Sequence, residues 1–61
     1  MTTAEFIRYI KKHGCKLSHH GARHDIYINP ENGKTTEVPR HAKKEIGTGL
    51  KNSMLKDLGL K

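Results

Sequence analysis

Apolar residues recur along this chain with two spacings, and the switches between them mark five elements. Phe6, Ile7, Tyr9 and Ile10 fall within roughly a 160° arc at 100° per residue, with Glu5, Arg8, Lys11 and Lys12 largely outside it, which predicts an amphipathic helix. Thr2-Thr3-Ala4-Glu5 has the spacing of a capping box at its start, and Gly14 can take the left-handed conformation that ends it. Residues 15–20 and 25–29 then alternate with period two around Gly21, which predicts two antiparallel strands. Pro30-Glu31-Asn32-Gly33 is a turn, because proline presets φ and Asn-Gly accepts positive φ; residues 34–38 follow as a third strand that Pro39 stops. After a basic connection at 40–47, Thr48 offers an N-cap to a second helix. Its Leu50, Met54, Leu55 and Leu58 share an arc of about 140° before Gly59.

The order α-β-β-β-α predicts an α+β domain in which two helices cover one face of a three-stranded antiparallel sheet. Strand parity separates Ile26 and Ile28 from Asp25, Tyr27 and Asn29. Hydrophobicity assigns the isoleucine side, with Leu17 and Val38, to the core. His24 shares that parity and is expected at the end of the buried face.

Sixty-one residues make a single domain, 1–61, with a small core and no room for a deep cleft. No apolar run approaches the roughly 20 residues of a membrane span or the core of a signal peptide, and the lone Cys15 cannot form an internal disulfide. A cytoplasmic protein is expected. Twelve Lys and Arg against six Asp and Glu give a net charge of +6, which suits a polyanion such as RNA or an acidic protein partner.

Five histidines invite a metal reading, but one cysteine, no paired Cys-x-x-Cys and no helical His-x-x-x-His give no ligand spacing, so no metal or cofactor is expected. Cys15 shares parity with Leu17 and follows a helix C-terminus, where the dipole disfavours a thiolate; it reads as a small core residue. The six acids are scattered, which leaves no carboxylate pair for acid/base work. Arg23, Lys34, Arg40, Lys43 and Lys44 gather around the hairpin and the approach to the second helix, whose N-terminus adds positive potential. They form a candidate phosphate-reading surface, or a charged face that only keeps the domain in solution. An imidazole beside such a surface can transfer protons at neutral pH.

The string Gly21-Ala22-Arg23-His24-Asp25-Ile26-Tyr27-Ile28-Asn29-Pro30, followed by Gly33-Lys34, Val38-Pro39-Arg40-His41, Glu45-Ile46, Gly49-Leu50 and Leu55-Lys56-Asp57-Leu58-Gly59, resembles the HicA toxin family over essentially the whole chain. That resemblance implies a double-stranded-RNA-binding-domain-like fold, ribonuclease activity on messenger RNA, and neutralisation by a HicB-type antitoxin. It places the family's key histidine at His24, three residues before the aromatic Tyr27. Ala22-Arg23 stands where Gly-Ser is commoner, so Arg23 replaces a hydroxyl beside the histidine.

The expected reaction is attack of a ribose 2′-hydroxyl on the adjacent phosphorus, without metal, with His24 as the acid/base group and His41 as the candidate second one. Two other readings share the fold: an RNA-binding module that does not cut, since the fold most often recognises A-form RNA by shape, and an inactive relative that acts only by binding antitoxin. His24 favours the nuclease, because binding alone does not require it.

Overall fold

The computed structural model describes all 61 residues, and the five elements follow in the expected order. They are α1 (Thr3–Lys12), β1 (Lys16–His20), β2 (His24–Asn29), β3 (Lys34–Pro39) and α2 (Thr48–Asp57). The strands form one antiparallel sheet in the order β1-β2-β3. No helix is long and apolar enough to cross a membrane.

α1 begins as its sequence predicts. Thr2 Oγ1 accepts the Glu5 N–H at 3.2 Å while the Glu5 carboxylate accepts the Thr2 N–H at 2.7 Å, which holds the Glu5 carboxyl below its ordinary pKa. The start of α2 differs from expectation. Gly47 is the N-cap, without a side-chain hydrogen bond, and Thr48 is already helical. Buried Ile46 donates its N–H to the Met1 carbonyl at 2.9 Å, and this anchor turns the chain into the helix one residue early.

Phe6 and Ile10 of α1, Met54 and Leu55 of α2 and its cap Leu58 share one buried cluster with Cys15, Tyr27, Val38 and Ile46. Burial pushes the Cys15 thiol pKa up, in keeping with an inert packing residue. Tyr9 and Leu50 fall inside the apolar arcs of their helices yet are about two-fifths exposed, at 39% and 43%.

The sheet presents the opposite face to the one hydrophobicity assigned. Tyr27, Asn29, Thr36 and Val38 are buried under the helices, whereas Ile26 and Ile28 are only half-buried on the uncovered side. The cross-strand pairs Tyr27–Thr36 and Asp25–Val38 fix this arrangement, because directly opposed residues share a face. Leu17 pairs with Tyr27 and therefore shares the helix side, but β1 is a margin strand and Leu17 stays 38% exposed. The polar residues are buried because the helix needs them. Asn29 donates to the Leu58 carbonyl at 2.9 Å and accepts the Glu31 N–H at 3.1 Å, Asn32 donates to the same carbonyl at 3.2 Å, and Thr36 donates to Asp57 at 3.0 Å. These bonds satisfy the end of α2 and fasten it to the β2–β3 turn.

Candidate active site

Because β2 is inverted relative to expectation, His24 lies on the uncovered face of the sheet with its side chain 44% exposed. It opens β2 opposite Pro39, and its Nδ1 stands 3.7 Å from Glu37 Oε2 on β3. Glu37 pairs with Ile26, and so does His19 of β1, so these three form a row across the open face beside His24. A register shift between Leu17 and His19 is what turns His19 to this side. His19 is exposed, with Nδ1 3.0 Å from Ser18 Oγ.

The turn carrying His24 is held from below. His20 and Asp25 oppose each other on the helix side, where His20 Nδ1 donates to Asp25 Oδ1 at 2.6 Å and Arg40 Nε donates to the same oxygen at 3.1 Å. An Arg40 terminal nitrogen also donates to the Gly21 carbonyl. Gly21 in turn donates its N–H to the His24 carbonyl at 2.7 Å, so close that a Cβ at Gly21 would stand 2.7 Å from that oxygen. Glycine is thus required there by proximity. The His20 and then the Arg40 hydrogen bonds hold the Asp25 carboxyl below its ordinary pKa.

A carboxyl with a depressed folded pKa contributes stability above its unfolded pKa of about 3.9 and loses it as pH falls through the folded value. Asp25→Asn is therefore expected to lower Tm at pH 7 and to converge on the parent below about pH 4. A Tm gap that stays constant from pH 7 to pH 2 would contradict this role.

The basic residues divide. Arg23, exposed and in no ion pair, adjoins His24. Arg40 lies at the same end with two of its nitrogens engaged in the clasp. Lys34 opens β3 at the opposite end, about 17 Å from Pro39 at roughly 3.4 Å per residue, so it is not beside the histidine. Lys43, Lys44 and His41 are exposed in the 40–47 connection, which is no loose loop. Thr3 and Ala4 at the start of α1 donate to the carbonyls of Lys44 (2.8 Å) and Ala42 (3.0 Å), and Thr2 bridges to Glu45. Spacing in the sequence pointed to none of these anchors, nor to Glu37, His19 or the Asp25 clasp, because each joins different elements.

The result is an open, cationic, histidine-bearing sheet end without a cleft, in a small domain of double-stranded-RNA-binding-domain type. No three of its His, Cys, Asp and Glu side chains converge as a metal-binding group. The model of the HicA toxin of bacterial toxin–antitoxin systems matches residues 3–60, and the chain belongs to that family. It is 39% identical, over its full length and 98% of the relative, to the Probable mRNA interferase HicA of Pseudomonas fluorescens. To the Probable mRNA interferase HicA 2 of Photorhabdus laumondii it is 37% identical over the full length of both. A chain of the crystal structure of the E. coli HicAB toxin–antitoxin complex superposes with a TM-score of 0.83 at 30% identity, covering 97% of this chain and 98% of that one.

Proposed function

We propose that this protein is the toxin of a HicAB-type pair, an mRNA-cleaving endoribonuclease of the cytoplasm in which His24 transfers the proton of the ribose 2′-hydroxyl. The observation that carries the assignment of His24 is its setting: a half-exposed imidazole on an open sheet face, beside a carboxylate, at the head of a clasped turn. RNA supplies its own nucleophile, so the protein needs a proton acceptor and positive charge rather than a cleft. Glu37 Oε2 lies 3.7 Å from Nδ1 of His24, a carboxylate beside the ring on the same open face. Arg23, Lys43 and Lys44 attract the backbone; Arg40 contributes what its clasp leaves free.

A HicB-type antitoxin is the partner, and it silences the toxin by covering His24 and the cations at 40–44. A stable complex of ordinary size buries about 1,200–2,000 Å², a large share of the 4,113 Å² accessible surface of this domain even when divided between the partners. Incubating the purified protein with messenger RNA and with the same sequence carrying a single 2′-deoxyribose at a mapped cut site tests the reaction. Cleavage of the ribose form and survival of the deoxy site are expected. Equal cutting at the deoxy site would overturn the 2′-hydroxyl mechanism.

A further inference from the structure

Transfer of the 2′-hydroxyl proton completes only half of the reaction proposed above. The 2′-oxygen attacks phosphorus from one side while the 5′-oxygen departs from the other, roughly in line, so a proton donor for the 5′-oxygen must approach from a different direction than the base. The uncovered face of the sheet offers one. His19 of β1 sits opposite Ile26, two residues along β2 from His24, and the two imidazoles are therefore diagonal neighbours on one face. Such diagonal positions lie roughly 7–8 Å apart, within reach of long side chains. Each ring has its Nδ1 beside a neighbour, Ser18 Oγ at 3.0 Å for His19 and Glu37 Oε2 at 3.7 Å for His24, so Nε2 is the nitrogen not engaged in either contact.

The other histidines are placed differently. His20 is on the helix side, bonded to Asp25. His13 caps α1, with its ring centroid 4.6 Å from that of Tyr9. His41 lies in the connection beyond the end of β3.

We infer that His19 is the second catalytic residue, the general acid that protonates the leaving 5′-oxygen while His24 takes the 2′-proton; this rests on the nuclease reading above. As the 2′-oxygen–phosphorus bond forms, the 2′-proton passes to His24 Nε2. As the bond from phosphorus to the 5′-oxygen breaks, the proton on His19 Nε2 passes to that oxygen. The products are a 2′,3′-cyclic phosphate and a 5′-hydroxyl, and exchange with water restores both rings. Arg23, next to His24 in the chain, brings positive charge to the site, and Lys16, opposite Ile28, lies further along the same face beyond His19.

The test compares the parent, His19→Ala, His19→Gln and His24→Ala on two oligoribonucleotides, one ordinary and one with sulfur in place of the leaving 5′-oxygen at the cut site. Sulfur departs without a proton. On ordinary RNA both His19 variants are expected to lose about 10²- to 10⁴-fold in kcat with RNA affinity retained. On the sulfur substrate they should regain most of the parental rate while His24→Ala stays slow. Parental rates for the His19 variants on ordinary RNA would overturn the assignment, as would equal slowness of His19→Ala and His24→Ala on the sulfur substrate. A parent that cuts neither RNA would instead overturn the nuclease reading itself.

Discussion

His24→Ala is expected to reduce RNA cleavage by at least the 10²- to 10⁴-fold typical of a lost proton-transfer group, with RNA affinity nearly unchanged. The asymmetry follows from where the residue acts. Proton transfer from the 2′-hydroxyl exists only in the transition state, whereas ground-state attraction comes from cations along the phosphate path. Nothing in the fold depends on the ring, because it lies on the uncovered face and its one ion-pair contact, with Glu37, is exposed. Changing Lys43 and Lys44 to alanine should do the reverse, weakening binding to all sequences and flattening its salt dependence. Cleavage assays paired with fluorescence anisotropy over a salt series separate the two. Retained toxicity of His24→Ala in growing cells would refute its role.

The second large effect concerns the sheet. Tyr27→Ala removes the one aromatic that β2 contributes to the core, 5% exposed, and such truncations cost about 3–5 kcal/mol. A core this small supplies roughly 3–5 kcal/mol in all, so the variant should be largely unfolded at room temperature. Ile28→Ala, one residue away on the uncovered side, should cost about 1 kcal/mol and lower Tm by roughly 4–8 °C. Circular dichroism melts of the two proteins decide the matter. Equal losses, or a greater one for Ile28, would mean that the isoleucine face is the buried one.

That pair of positions also shows what the sequence could and could not disclose. Element order was legible because each signal is local: the Thr2–Glu5 box, the glycines at 14 and 33 with their positive φ, and the alternation of β2 all act within a few residues. The buried face was not. In 25–29 two isoleucines compete with one tyrosine and two polar residues, and hydrophobicity alone chooses the isoleucines. The choice is reversed by bonds from Asn29 and Thr36 to the end of α2, 29 and 21 residues further along the chain. His24 was singled out among five histidines only by the family resemblance, and the face expected for it was inherited from that parity. The grouping of Lys34 with Arg40 failed for a related reason, since adjacency along a chain of short strands says little about which end of a sheet a residue occupies. Register brought His19 to the row beside His24, and a register shift within a five-residue strand leaves no periodic trace.

On the proposed mechanism, the sheet end around His24 cleaves RNA by proton transfer to and from ribose oxygens. Analysis of the ends produced when the purified protein cuts messenger RNA in excess EDTA tests it most directly. Cleavage is expected at an undiminished rate, with 2′,3′-cyclic phosphate and 5′-hydroxyl ends and neither in His24→Ala. A requirement for added divalent metal, or fragments ending in 5′-phosphate, would contradict it.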